Sequence, residues 1–93
     1  MLILRLTLRF RVPWSRSLKD KRSEARRILS RLKNQFNVSV AESGGQDSLT
    51  LLELSVAALC FHPAQADSVQ QSVLDFVENL TEAELYEYES DLL

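Results

Sequence analysis

Leu2-Ile3-Leu4-Arg5-Leu6-Thr7-Leu8-Arg9-Phe10-Arg11-Val12 is the stretch that decides the fold. Leu2, Leu4, Leu6, Leu8, Phe10 and Val12 fall on one face, and Ile3, Arg5, Thr7, Arg9 and Arg11 on the other. A period of two separates apolar from charged residues only on an extended chain, so this is a strand with one face against a core. Pro13 ends it.

Working outward, Ser17 is placed to cap a helix, with Asp20 three residues on as a capping-box partner. The spacing predicts a helix from about Leu18 to about Gln35. At about 100° per residue, Leu18, Ala25, Ile28, Leu29 and Leu32 share one side, and Lys19, Arg22, Arg26, Arg27, Arg31 and Lys33 fill the remaining arc. Lys21 alone among the cations falls in the apolar sector, with its stem expected to lie flat and its ammonium to reach water.

Phe36, Val38 and Val40 alternate with Asn37, Ser39 and Ala41 as a second strand, and Ser43-Gly44-Gly45-Gln46-Asp47 supplies the turn of a hairpin. A third strand spans about Leu49 to Phe61, and Pro63 suits the first turn of a second helix striped by Ala66, Val69, Val73, Phe76, Val77 and Leu80. A last strand covers about Glu84 to Glu89.

Two strand-helix-strand units joined by one hairpin predict an α+β chain, a ferredoxin-like β-α-β-β-α-β plait. The sheet is antiparallel with order 4-1-3-2, and both helices lie on one face. The final strand then pairs with the first, and Arg5, Arg9 and Arg11 oppose Glu87 and Glu89 on the open face. Such exposed cross-strand pairs contribute about 0.2–1 kcal/mol each.

Ninety-three residues, 45% hydrophobic and 26% charged, suit a single domain over 1–93 with one core. With Cys60 as the one cysteine there is no internal disulfide and no Cys-rich zinc site, which fits a reducing, cytoplasmic setting. Leu49 to Phe61, the most apolar stretch, is broken by Thr50, Glu53 and Ser55 and is too short to span a bilayer. No membrane, metal or cofactor is expected.

Charge is distributed very unevenly. All 11 Lys and Arg precede Asn34, against only Asp20 and Glu24, whereas the remaining carboxylates all follow it. That asymmetry predicts a basic surface for an anionic partner if folding keeps the two charges apart.

Arg16-Ser17-Leu18-Lys19-Asp20-Lys21-Arg22, with Phe36-Asn37-Val38-Ser39-Val40-Ala41-Glu42, Gln46-Asp47 and Phe76-Val77-Glu78, resembles the YlxP-like family of small bacterial proteins of unknown function over essentially the whole chain. The resemblance implies a ferredoxin-like fold, a cytoplasmic bacterial setting, and genes beside those for transcription elongation and translation initiation factors. That neighbourhood points toward RNA or ribosomes. Where many relatives carry a tryptophan two residues after the Gln-Asp pair, this chain has Leu49.

Two candidate sites follow. Arg16, Lys19, Lys21, Arg22 and Arg26 gather around the start of the first helix, where free amides and the positive dipole end already favour an anion. Arg27, Arg31 and Lys33 add diffuse attraction. The alternative is a solvated helix, or one paired with Asp67, Asp75 and Glu78 of the second helix. The expected function is a non-enzymatic accessory protein that contacts RNA or a ribonucleoprotein by its backbone, since the open strands lack the aromatic rings of a base-stacking sheet.

Leu51, Ala57, Leu59 and Phe61, with Ile3, form the second candidate, an apolar patch on the open face that suits a protein-interaction module or a homodimer. The alternative is that Leu92 and Leu93, or long arginine stems, cover it within the chain. Cys60 and His62, at a spacing of ~6–7 Å along a strand, are read as a buried cysteine and a residue at the start of the second helix. No catalytic residue is assigned. The carboxylates Glu82, Glu84, Glu87 and Glu89 read as a solvated or ion-paired strand, and Trp14 as a lid over the sheet end.

Overall fold

The computed structural model describes residues 1–93. The elements follow as β1 (Leu2–Arg11), α1 (Leu18–Gln35), β2 (Ser39–Gly44), β3 (Leu51–Cys60), α2 (Pro63–Leu80) and β4 (Glu84–Leu92). They make an α+β architecture with one antiparallel four-stranded sheet of order β2-β3-β1-β4, the expected 4-1-3-2 read from the other edge.

The alternation of β1 is realised in full: Leu4, Leu6, Leu8 and Phe10 are buried together with Leu52, Leu54, Val56, Ala58 and Cys60 of β3. Onto this face pack Ala25, Ile28 and Leu32 of α1 and Val73, Leu74 and Val77 of α2, in one cluster with Val12 and Ala83, while Leu4, Ala58 and Cys60 pack with Ala66 of α2 in a second. Burying such an aliphatic side chain contributes about 1.5–3 kcal/mol, so this layer is what drives the fold. Both helices therefore cover the same side. The chain leaves α1 through Phe36, whose N–H caps Leu32 and whose ring meets Phe76 edge-on at 5.4 Å, tying the end of α1 to α2.

The bounds of β2, β3 and β4 differ from the sequence reading, β3 running from Leu51 to Cys60 in place of about Leu49 to Phe61. β2 runs from Ser39 to Gly44, because its pairing with β3 begins at Ser39 opposite Ala57 and continues past Glu42 through a register shift. The connection is accordingly 45–50, and it turns on Gly45, whose φ of 79° lies in the left-handed region. β4 continues to Leu92 because its ladder with β1 reaches Leu4, and Leu93 exchanges two 2.8 Å backbone bonds with Ile3. A bulge between Arg9 and Phe10 leaves Tyr86 without a ladder partner and sets its ring 5.0 Å from the Arg11 guanidinium.

Candidate functional site

The basic residues separate into two groups with opposite fates. On the open face of the sheet, each β1 arginine is met by carboxylates: Arg5 by Asp91 at 2.5 Å, Arg11 by Glu84 at 3.6 Å, and Arg9 by Glu53, Glu87 and Glu89 at 3.0–3.4 Å. β4 supplies most of these because its register sets Glu87 opposite Arg9 and Asp91 opposite Arg5. The expected partners Glu87 and Glu89 both converge on Arg9, whereas Arg5 and Arg11 take Asp91 and Glu84. The hydrogen bond to Glu89, followed by the charges of Glu89, Glu87 and Glu53, raises the Arg9 pKa above its ordinary value against the opposing effect of burial. Arg9 consequently stays charged at any pH the fold will meet.

Along α1 the charge is not cancelled. Arg16, Lys19, Arg22, Arg26, Arg31 and Lys33 are exposed and form no ion pair; neither Asp67, Asp75 nor Glu78 of α2 reaches them. Arg27 is the exception, bonded to the Leu80 carbonyl at 2.8 Å and paired with Glu24 at 3.5 Å. That bond marks the α2 side of α1. By helical spacing Lys19, Arg22, Arg26 and Lys33 lie on the opposite flank, a stripe about 21 Å long above the β2 edge of the sheet. By the same spacing Asp20 and Glu24, the two carboxylates of α1, lie off that flank.

One of the sequence expectations for this site is corrected. Lys21 is not a surface cation: it is 1% exposed, and its ammonium donates to the carbonyls of Gly45, Ser48 and Leu51. An ammonium with three donors among three carbonyls is satisfied without a carboxylate, which is how a lysine in the apolar sector of α1 is tolerated. The cap expected of Ser17 forms at the start of α1. Ser17 Oγ accepts from the Asp20 N–H and the Asp20 carboxylate accepts from the Arg16 N–H, both at 3.1 Å. The unpaired cations therefore run from Arg16 at the start of α1 along this flank to Lys33.

Lys21 also joins two segments that carry the family resemblance, Arg16 to Arg22 and the Gln46-Asp47 turn. Nothing in the sequence near Lys21 signals this; its acceptors lie 24 to 30 residues away.

The apolar patch is split. Ile3 stands opposite Leu59, and Leu93 beside Ile3, so that Leu93, Ile3 and Leu59 form a row across three strands with Phe61 next to it. Leu59, Phe61 and Leu93 are 61%, 78% and 61% exposed, so the C-terminal leucine extends the patch and does not cover it. Leu51 does not belong to it. It opposes Arg11 at the far end of β3, beyond the Arg9 carboxylate cluster, about 27 Å from Leu59. Ala57 is exposed beside Arg5 and joins Ser39, Ala41 and Ser55 in a shallow 260 Å³ hollow floored by small side chains.

A cleft of 580 Å³ lies between the C-terminal end of α2 and α1, lined by Trp14, Glu24, Arg27, Glu78, Thr81 and Glu82 among others. Its carboxylates disfavour a phosphate, which sets Trp14 apart from the basic stripe. Cys60 is buried, and His62 caps α2, its Nδ1 accepting from the Gln65 N–H at 3.3 Å. No helix is long and apolar enough to cross a membrane.

Residues 3–90 match the family model described as "Protein of unknown function (DUF503)". The chain is also similar to "Uncharacterized protein YlxP" of Bacillus subtilis (strain 168), 40% identical over 68 residues that make up 73% of this chain and 74% of that relative. With nearly its whole length matched, the chain belongs to the DUF503 family of YlxP-like proteins.

Proposed function

We propose that this is a non-enzymatic accessory protein of ferredoxin-like fold, working in the cytoplasm, that contacts RNA or a ribonucleoprotein through the exposed flank of α1. One observation carries the reading: Lys19, Arg22, Arg26 and Lys33 keep their charge unpaired although 13 carboxylates are present in the chain. Carboxylates of β3 and β4 pair with the three β1 arginines on the open sheet, and none pairs with the α1 flank. Exposed like charges at helical spacing are mutually repulsive by a few tenths of a kcal/mol per pair, a penalty that a phosphate backbone would reverse. Arg16 adds a fifth cation at the N-terminal end of the stripe.

Contact of this kind is to phosphates, so affinity falls steeply with salt and depends little on base sequence. A filter-binding titration with ribosomal RNA fragments at low and moderate salt tests it. Wild-type protein binds, and Lys19→Glu plus Arg22→Glu reduces binding at least tenfold. Binding unchanged by that double reversal would remove the stripe as the site.

A second reading rests on a different observation, the contiguous exposed row of Leu93, Ile3 and Leu59 with Phe61. Such a patch suits a protein partner on the open face. Leu59→Ser plus Phe61→Ser would then abolish capture of that partner without altering RNA binding.

A further inference from the structure

The side of α1 turned toward α2 has a chemistry opposite to that of the basic stripe. There the cleft of 580 Å³ between α1 and the C-terminal end of α2 sets Trp14 in one wall with the carboxylates Glu24, Glu78 and Glu82 around it. Its size is that of an ordinary small-molecule site. Trp14, the one tryptophan of the chain, is 44% exposed, so its ring is open to a ligand.

The three carboxylates are not equivalent. Glu24 is 13% exposed and satisfied within the fold, its Oε2 accepting from the Thr81 hydroxyl at 2.5 Å and facing Arg27 at 3.5 Å. Arg27 also donates to the Leu80 carbonyl, so the cleft already seats one organic cation of the chain's own between a carboxylate and a main-chain oxygen. Glu78 and Glu82 are exposed and have no ion pair. Glu78 lies in the last turn of α2, which contains no basic residue and where the negative end of the helix dipole adds to its charge. Negative potential is thus left unbalanced beside an aromatic ring.

That combination selects a ligand class. A phosphate is repelled by the carboxylates, and a wholly apolar ligand finds only Trp14 and Leu80 to touch. The carboxylates do not gather into a group of three or more that could hold a metal ion, so their charge is spread along the cleft and not focused at a point. An elongated organic cation meets all three conditions. Its ammonium groups donate to separate carboxylates, while the methylenes between them lie along the indole and bring the charge within reach of the ring. We infer that this cleft binds a linear aliphatic polyamine, with Glu78 and Glu82 each taking an ammonium group and Trp14 the chain between them. The site lies on the α2 side of α1 and does not depend on RNA binding by the stripe.

Because no other tryptophan is present, Trp14 emission reports on this cleft alone. Spermidine titrated into the full chain in dilute salt changes that emission along a saturable one-site curve, and n-butylamine, with a single ammonium, binds at least about tenfold more weakly. Glu78→Gln plus Glu82→Gln weakens spermidine by at least about tenfold, while the urea midpoint stays equal or rises as like charge leaves the negative end of α2. Asp67→Asn plus Asp75→Asn, exposed positions of α2 outside the cleft, makes the same change in net charge and leaves the affinity as it was. Trp14→Leu, followed by calorimetry, weakens spermidine by about threefold or more, since leucine supplies apolar contact without the cation–π attraction. Spermidine also raises the thermal midpoint of the wild type and not that of the Glu78 and Glu82 double variant. Emission that drifts without saturating, an equal response to magnesium chloride at the same charge concentration, or equal losses from the two double variants would show diffuse screening in place of a site and overturn the inference.

Discussion

Lys21 and Leu51 are joined by a 3.1 Å bond from the ammonium to the backbone carbonyl, one of three that fasten the first turns of α1 to the β2–β3 connection. The same ammonium reaches Gly45 and Ser48, so a single side chain holds the ends of a six-residue connection that has little apolar packing of its own. This contact fixes where β3 begins relative to α1, and with it the position of the basic flank above β2.

Removing that cation leaves three carbonyls without their donor. Lys21→Met keeps the length of the stem and is expected to destabilise the protein by about 2–4 kcal/mol, each unsatisfied acceptor being partly rehydrated. In a domain of this size that lowers the thermal midpoint by more than about 10 °C. Urea denaturation measures it. Because Lys21 does not reach the surface, the salt dependence of RNA binding by the folded variant is unchanged; a reduced salt slope would return Lys21 to the binding face.

Gly45 and Gly44 are neighbours with unequal tolerance. A Cβ on Gly45 would come 2.6 Å from the Leu51 carbonyl oxygen, at a φ of 79° that L-residues disfavour. A Cβ on Gly44 meets Glu53 Oε2 at 2.6 Å, the far end of a side chain that can swing away. Gly45→Ala is therefore expected to lose roughly 1–3 kcal/mol, more than Gly44→Ala in the same denaturation assay. The order would be reversed only if the connection could be rebuilt without the Lys21 clasp.

Arg9 differs from the other two β1 arginines because three carboxylates share it. Arg9→Met leaves Glu53, Glu87 and Glu89 facing one another without a countercharge, across β3, β1 and β4. Its urea midpoint is expected to fall further than that of Arg5→Met, which strands only Asp91. Added salt recovers part of the Arg9→Met loss, since what remains is like-charge repulsion at a half-exposed site. Equal midpoints for the two variants would show that the network contributes no more than an isolated pair.

Much of the fold could be read from the sequence because its signals are periodic and local. The strict alternation of β1, the 3.6-residue stripe of α1 and the Pro63 start of α2 each place an element without reference to the rest of the chain. β2 was harder: Phe36 and Val38 alternate like strand residues, yet the ladder begins at Ser39, since only pairing with Ala57 defines the strand. The bulge at Tyr86 depends on two strands at once and leaves no local mark.

The site divides along the same line. That α1 is basic was plain, but which cations stay free depends on where β4 and the 45–50 connection come to rest. Lys21, in the apolar sector by its spacing, needed acceptors brought from a distant turn. Leu51 and Leu59 share a strand face, and only the charged band between them separates one from the other.

If the α1 flank binds polyanions by its unpaired cations, RNA affinity must depend on salt. For a site that engages about four phosphates of a single strand, log K is expected to fall against log salt with a slope of roughly −3, and Arg26→Gln to reduce that slope by about 0.7. Arg5→Gln and Arg11→Gln, whose charges are already matched by Asp91 and Glu84, leave it unchanged. A slope near zero, or one that responds to the β1 arginines and not to Arg26, would show that the α1 flank is not the binding surface.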